Sequence, residues 1–409
     1  MPEHSLRRTL RKILANLLTR IIIAMLLGIG AAYVLPVWGM RVFETFNAVF
    51  AQFLSFMIPL IIVGFVAPAI GDVGNRAGKM LLATVLLAYG ATLVAGFSSY
   101  FISDWVFPSM ITPGSGAAEA AKGAGGEALT PFFTIAMPPL MSVTSALVLA
   151  FILGLGVAAL GAGNGLQRAL DEFRSIVQMV IERAILPLLP VYIFGIFLNM
   201  THTGEVATIL ATFAKIILVI FAMHIGILLL QFTVAAMFSR GSHNPLKLLA
   251  TMMPAYFTAL GTQSSAATIP VTLRQTIKLG VDPNVAGFTV PLCATIHMSG
   301  STLKIVACAV ALMLTNGMPY TTGMFAGFIC MLGVTIIAAP GIPGGVIMAC
   351  LGILTSMLGF TEADNGLMIA LYIAMDSFGT ACNITGDGAL TIIISRFFGR
   401  KPGHTASAQ

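Results

Sequence analysis

Apolar residues run through this chain in long uninterrupted stretches, and several of these are long enough to cross a lipid bilayer. A membrane-spanning helix needs about 20 mostly apolar residues. By that measure the chain carries eight spans, which polar or charged segments separate. The pattern therefore predicts an all-α polytopic membrane protein. The predicted spans are residues 17–38, 45–70, 80–103, 138–160, 175–200, 207–238, 284–313 and 366–395.

Two further apolar stretches, residues 245–275 and 323–356, do not fit simple spans. The first is divided by the polar run Gly261 to Ser265, and the second by Ala338 to Gly345, which contains two prolines and three glycines. Each limb is about a dozen residues long, too short to span a bilayer. We therefore predict two re-entrant helical hairpins that enter from opposite faces, an inverted repeat found in secondary transporters. The alternative is two weakly hydrophobic full spans.

The composition indicates that lipid is the solvent for much of the surface. Apolar residues make up 57% of the 409 positions and charged residues only 9%, whereas about one quarter of a soluble domain is charged. Despite a net charge of +6 there is no soluble basic face, so no nucleic-acid partner is expected. The five cysteines lie in apolar stretches without metal-binding spacing. No HExxH, GxSxG or P-loop motif indicates an enzyme.

The basic residues fall almost entirely on one side of the membrane if the eight spans alternate in direction. Arg41 and Lys122 are the two on the other side. Because cytoplasmic loops are enriched in Lys and Arg, both termini are predicted to be cytoplasmic, in a multi-pass protein of the cell (inner or plasma) membrane. The residues on the cytoplasmic side are Arg7, Arg8, Arg11, Lys12, Arg76, Lys79, Arg168, Arg174, Arg240, Lys247, Arg274, Lys278, Arg396, Arg400 and Lys401.

The last predicted span contains an unusually polar segment, Asp376 to Asp387. At 100° per residue, positions 376, 380, 383 and 387 lie within about 40° of one another. One stripe of the helix therefore carries two carboxylates, a hydroxyl and an amide. A carboxylate at membrane depth is costly and usually faces a partner or an aqueous path. Since oxygen ligands suit hard cations, the stripe indicates a cation site; structural caps or a buried polar network are the alternative.

The preceding span is interrupted by the polar residues His297 to Thr302, with Gly300 among them. Such a break fits an unwound turn whose carbonyl groups can coordinate an ion. Lys304 follows in apolar sequence, where its ammonium is expected to need a carboxylate or an anionic solute as its partner. For the buried His297, a structural role and a functional role both stay open.

Together these motifs resemble the dicarboxylate/amino-acid:cation symporter family, which includes glutamate and neutral amino-acid transporters. Gln263 to Pro270 is similar to the serine-rich tip of the family's inner hairpin, and Ala338 to Gly345 to the tip of its outer hairpin. Asp376 to Asp387 is similar to its last-span motif. The resemblance implies a glutamate-transporter-homologue-like fold, a homotrimer, and a transport domain that moves like an elevator against a scaffold domain.

The same resemblance implies a division of the chain. Residues 1–240 would be mainly scaffold and trimerisation spans, with span 3 and span 6 joining the transport domain. Residues 241–398 would form the transport core, and residues 399–409 a cytoplasmic tail. The core would consist of the inner hairpin 245–275, span 7 at 284–313, the outer hairpin 323–356 and span 8 at 366–395.

Sodium is the coupling ion that the resemblance implies, and no organic cofactor is expected. By resemblance, Asp387 would provide the carboxylate of a sodium site, joined by the carbonyl groups of Asn383 and His297. Thr295 and the backbone around Ala338 would flank a second sodium site.

The substrate would bind beside these ions. By resemblance, Asp376 would bind its amino group and Asn383 its amino-acid backbone. The other implied contacts to the substrate are Thr380, Ser264, Ser265 and the outer-hairpin backbone near Gly341.

The chain departs from the family pattern at three places. Where acidic-substrate members have an arginine, this chain has Gly379, and a second position that is arginine in some members is Gln263. No guanidinium can grip a side-chain carboxylate, which favours a neutral solute over an acidic one unless Lys304 substitutes as a point charge. The aspartate of the family's Asn-Met-Asp-Gly-Thr motif is Ser299, so fewer coupled sodium ions are expected.

The sequence therefore predicts a cation-coupled secondary active symporter that imports a small amino acid or organic acid. Its expected partners are this solute, the lipid bilayer and further copies of the chain in a homotrimer. The alternative within the class is a dicarboxylate or acidic amino-acid symporter, coupled to a cation or a proton, in which Lys304 is the substrate's counter-charge. An ion channel is the alternative from another class, and a membrane-embedded enzyme is the third.

Overall fold

The computed structural model describes residues 17–75, 78–114, 129–161, 163–204, 206–239, 242–337, 339 and 344–399. In these ranges the chain forms helices and connecting segments and contains no strand. The all-α class is thus confirmed. The first half contains α1 (Leu17–Ala32), α2 (Val37–Asn75), α3 (Lys79–Met110), α4 (Val143–Leu160), α5 (Gly165–Val180), α6 (Leu186–His202) and α7 (Val206–Phe238). A π-helical turn, Ile181–Ile185, joins α5 to α6.

The second half is built from shorter helices because polar residues and glycines interrupt each apolar stretch. Its first four helices are α8 (Pro245–Thr262), α9 (Ser265–Lys278), α10 (Pro283–Ile296) and α11 (Ser299–Asn316). The remaining four are α12 (Thr322–Ile337), α13 (Gly345–Leu358), α14 (Glu362–Ala374) and α15 (Asp376–Phe398).

Length and apolar composition identify five helical segments of the described chain that can cross a membrane. A sixth results if the bent pair α14 and α15 is counted as one span. The predicted first and fourth spans correspond to the apolar helix α1 and to Ser145–Leu160 in α4, both of which are shorter. These features fit a polytopic membrane protein, while the number of eight spans stays a prediction.

Most of the described helices fall into two groups by their contacts, while α12, α13 and α14 contact helices of both groups. In one group α2 contacts α4, α5 and α6, and α1 contacts α6. In the other, α15 contacts α7, α8, α9, α10 and α11. Helix α3 contacts α10, α11, α12 and α15 of this second group, and α7 contacts α8 and α11. Burial is uneven within the second group, since 94% of the apolar window in Pro283–Asn316 is buried against 33% in Lys79–Met110. The exposed apolar side chains of α3 suit a lipid-facing surface.

The two interrupted stretches each form two helices that contact each other. Pro245 at the first position of α8 follows the cap Asn244, whose side chain accepts from the backbone N–H groups of Leu246 and Lys247. Ser264 caps α9 by accepting from the N–H of Ala267. The α8–α9 pair corresponds to the predicted inner hairpin and the α12–α13 pair to the outer hairpin. It stays a prediction that each hairpin enters and leaves the membrane by the same face, and that the two hairpins do so from opposite faces.

The last predicted span is not one straight helix. It is divided at Met375, where α14 and α15 meet at an angle of 60°. The span predicted at 366–395 therefore contains a break that the sequence analysis did not predict. Neither glycine nor proline marks the break in the sequence, and the residues around it serve the site described next.

Helices α11 and α15 approach each other closely at Gly300. A Cβ atom at this position would lie 2.7 Å from the Cβ of Cys382 and 2.7 Å from the carbonyl oxygen of Gly379. Only glycine permits this approach because neither the Cys382 Cβ nor the backbone can move away freely. The start of α11 is thereby pressed against the polar stripe of α15.

Candidate solute and cation site

A cavity of about 890 Å³ lies where the broken helices meet. It is enclosed by the inner hairpin, the break between α10 and α11, the start of α13 and the polar stripe of α15, and it extends to Phe65 in α2 and Arg174 in α5. The polar residues of α15 that line it are Asp376, Thr380 and Asn383. The cavity therefore lies between the two groups of helices, beside the residues that the sequence singled out.

The inner-hairpin tip is fastened to α15 by a side-chain hydrogen bond. Gln263 has φ 54°, a left-handed conformation that ends α8. Its Nε2 donates to the Ser377 hydroxyl at 2.7 Å. This contact holds Ser265, the first residue of α9, at the cavity wall.

Asn383 fills the break between α10 and α11. Its Oδ1 accepts from the backbone N–H of Gly300 at 2.8 Å and from that of Ser301 at 3.3 Å. Its Nδ2 donates to the Ser301 hydroxyl at 3.1 Å. Because α10 ends at Ile296 and α11 begins at Ser299, the predicted break in the seventh span is confirmed.

Asp387 lies one helical turn deeper and is fully buried. Its Oδ1 is 2.9 Å from Nδ1 of His297, whose Nε2 is 2.6 Å from the Ser299 hydroxyl and 3.2 Å from Nε2 of Gln231. The Oδ2 of Asp387 and the Oε1 of Gln231 have no hydrogen-bond partner among the described residues. A buried carboxylate oxygen without a partner is costly. A bound hard cation would satisfy it, since oxygen is the ligand that such ions prefer.

Lys304 is fully buried and contacts Asp376. Its Nζ lies 3.0 Å from Oδ1 of Asp376, and 3.4 and 3.5 Å from the carbonyl oxygens of Tyr372 and Met375. It also lies 3.3 Å from the centre of the Tyr372 ring, a cation–π contact. Both carbonyl groups lie at the break between α14 and α15, and they also accept from the backbone N–H groups of Met375 and Gly379, respectively. The expected partner of the buried ammonium is thus a carboxylate of the chain itself.

Comparison with known proteins gives the family of the chain. The model of the sodium:dicarboxylate symporter family matches residues 17–397. The chain belongs to this family. The serine/threonine transporter SstT of Acinetobacter baumannii (strain AYE) is 26% identical over 399 residues, covering 93% of this chain and 96% of the relative. Excitatory amino acid transporter 2 of Homo sapiens is 28% identical over 249 residues, covering 59% of this chain and 42% of the relative.

The predicted family is therefore confirmed, and the chain is a multi-pass membrane protein of a family of transporters. Four residues that were predicted to contact the solute line one cavity: Ser265, Asp376, Thr380 and Asn383. Thr295, which was predicted to flank a sodium site, lines the same cavity. Ser264 caps α9, and the Thr295 hydroxyl donates to the carbonyl oxygen of Leu292. Gly341 and Ala338, predicted at the outer-hairpin tip, lie outside the described residues.

The structure places Gly379 against Lys304. A Cβ atom at position 379 would lie 2.9 Å from Nζ of Lys304. The Lys304 ammonium therefore occupies the space in which a side chain at position 379 would begin, and this explains why glycine is present here.

Sequence reasoning missed three residues of this network. Gln231 in α7 contacts His297 and Ser299, and a single amide in an apolar run was its only signal. Tyr372 covers Lys304, and its hydroxyl donates to Ser301 at 3.3 Å. His224, which looked isolated in the sequence, has Nε2 3.1 Å from the Gly300 carbonyl oxygen.

Proposed function

We propose that this protein is a sodium-coupled secondary active symporter that imports a small amino or organic acid. The observation that carries the proposal is the unpartnered, fully buried Oδ2 of Asp387. It lies on the same helix as the cavity-lining residues Asp376, Thr380 and Asn383. An ion and a solute bound on one helix would share a single mobile element, which is the arrangement that coupled transport requires.

Two side chains connect the ion region to the cavity. Asn383 lines the cavity and holds the start of α11 through the N–H groups of Gly300 and Ser301. His297, at the end of α10, contacts Asp387. A sodium ion between Asp387 and the carbonyl groups near His297 and Asn383 would therefore fix the break against which the solute binds. Thr295, with the outer-hairpin backbone near Ala338, is proposed for a second sodium ion.

Alternating access would take place by an elevator movement. The contacts of α3 and α7 with the α8–α15 group support a mobile unit that includes the predicted spans 3 and 6. The α1, α2, α4, α5 and α6 group would be the scaffold and would form a homotrimer in the cell membrane, with both chain termini in the cytoplasm.

A solute without a side-chain carboxylate is favoured over an acidic one. Gly379 and Gln263 stand where acidic-substrate relatives were expected to have arginine, and Gln263 is engaged with Ser377. The SstT relatives are named serine/threonine transporters, and neither of these amino acids has a side-chain carboxylate. The acidic alternative would need Lys304 to leave Asp376, its partner at 3.0 Å.

Uptake into proteoliposomes tests the function. With an inward sodium gradient, the protein is expected to accumulate at least one member of a panel of labelled neutral amino acids, hydroxy acids, dicarboxylates and acidic amino acids. A tenfold sodium gradient stores about 1.4 kcal/mol per ion, which supports about tenfold accumulation for each coupled sodium. Replacing sodium with choline on both sides is the control. Accumulation unaffected by this replacement would contradict sodium coupling, and solute-independent currents without accumulation would indicate a channel.

A further inference from the structure

Lys304 has all of its partners inside the protein. Its ammonium contacts the Asp376 carboxylate, two backbone carbonyl groups and the face of Tyr372, all within 3.5 Å. An ammonium group has three hydrogen-bond donors. Its donors are therefore satisfied without any contribution from a solute, and no part of the side chain is exposed.

Both oxygens of the Asp376 carboxylate in turn contact the protein. Its Oδ1 accepts from Lys304 at 3.0 Å, and its Oδ2 accepts from the backbone N–H of Gly344 at 3.0 Å, at the start of α13. Asp376 lines the cavity, whereas Lys304 lies behind it. The only carboxylate of the described cavity wall is thus already neutralised by an ammonium from the chain itself.

The rest of the cavity wall favours a negative charge. Ser265, Ser301, Val346 and Asp376 line the cavity from the first turns of α9, α11, α13 and α15. Helix N-termini present positive partial charge and backbone donors. The Thr380 hydroxyl, in a residue that is 9% exposed, lines the same cavity and makes no hydrogen bond within the described chain. Side chains of the protein already accept from the N–H groups of Ala267, Gly300, Ser301 and Gly344. With Asp376 neutralised, the positive potential of these N-termini, rather than free N–H donors, is what favours an anion.

We infer that Lys304 is a built-in substitute for a substrate's amino group, so that the transported solute is a carboxylate that lacks an α-amino group. This inference rests on the proposed function and narrows it from amino or organic acids to organic acids. An α-amino acid would bring a second ammonium to a carboxylate whose charge is already paired with Lys304. A hydroxy acid or an unsubstituted acid would place its carboxylate among the helix N-termini and use the Thr380 hydroxyl.

Matched pairs of solutes that differ in the amino group test the inference. The pairs are lactate and alanine, glycerate and serine, and succinate and aspartate, measured in competition for uptake into proteoliposomes under an inward sodium gradient. The wild-type chain is expected to prefer the amino-free member by about tenfold or more in at least one pair. Lys304→Met frees Asp376 and is expected to shift the same ratio toward the amino acid by a similar factor. Lys304→Met combined with Asp376→Asn is the matched control, and it should lose this shift.

The inference is overturned if the wild-type chain prefers the amino acid in the pairs it transports, or if Lys304→Met leaves the ratio unchanged. Ligand-induced shifts in the melting temperature of the purified protein give a second readout. If Lys304→Met cannot be recovered folded, these shifts test the inference in the wild-type chain alone, by comparing the amino-free acid with the amino acid of each pair. If no pair is taken up with sodium, the proposed function fails, while larger stabilisation by the amino-free acids still supports the role of Lys304. The absence of stabilisation by every acid overturns both.

Discussion

Replacing Asp387 with asparagine is expected to remove most of the sodium dependence of transport. The substitution keeps the shape of the side chain and an oxygen that can face His297, but it removes the charge beside the unpartnered Oδ2. A buried carboxylate is the strongest ligand for a hard cation in this region because the other donors are uncharged. We expect the sodium concentration for half-maximal uptake to rise about 100-fold, equivalent to about 2.7 kcal/mol of binding free energy.

The measurement is solute uptake at varied sodium concentration, with solute binding followed in parallel by thermal stabilisation. Glu172→Gln, which neutralises an exposed carboxylate on α5, is the control and should keep the wild-type sodium response. A variant Asp387→Asn with an unchanged sodium dependence would show that the ion binds elsewhere.

Removing the charge of Lys304 is expected to destabilise the folded protein strongly. Lys304→Met leaves the Asp376 carboxylate, which is largely buried, without its ammonium partner. Breaking a buried ion pair from one side costs about 3–5 kcal/mol because an uncompensated charge remains. Adding Asp376→Asn removes that charge, so the double variant should regain most of the lost stability.

The test compares melting temperatures in one detergent at one heating rate, since unfolding of such a protein is not expected to be reversible. Lys278→Met, at the exposed end of α9, removes a lysine outside the site and should melt like the wild type. The pairing would be contradicted if Lys304→Met melted like the wild type, or if the double variant melted below the single one.

The sequence was sufficient to locate the elements that the site is made from. The length of the apolar stretches indicates the helices, and the glycine and serine residues in the seventh span indicate the break before Ser299. The spacing of Asp376, Thr380, Asn383 and Asp387 is correctly read as one helix, because α15 continues without interruption from Asp376 to Phe398. These features depend on local periodicity, which a sequence displays directly.

The partners of buried charges could not be predicted from the sequence. The buried ammonium of Lys304 needs a partner, and from the sequence Asp376, Asp387 and an anionic solute were equally good candidates. The fold decides between them, because it places Oδ1 of Asp376 3.0 Å from the Lys304 Nζ. The break at Met375 was missed because neither proline nor glycine marks it. Its carbonyl oxygen and that of Tyr372 face Lys304, a residue about 70 positions away in the chain. Such pairing is decided by tertiary contacts and not by any local pattern.

The movement of sodium together with the solute is the central claim, and a direct flux measurement tests it. Radioactive sodium uptake into proteoliposomes is followed with and without the best-transported solute outside. We expect the solute to accelerate sodium influx in a fixed ratio to its own uptake, and Asp387→Asn to remove this acceleration. Solute uptake that brings no additional sodium into the vesicles would contradict it.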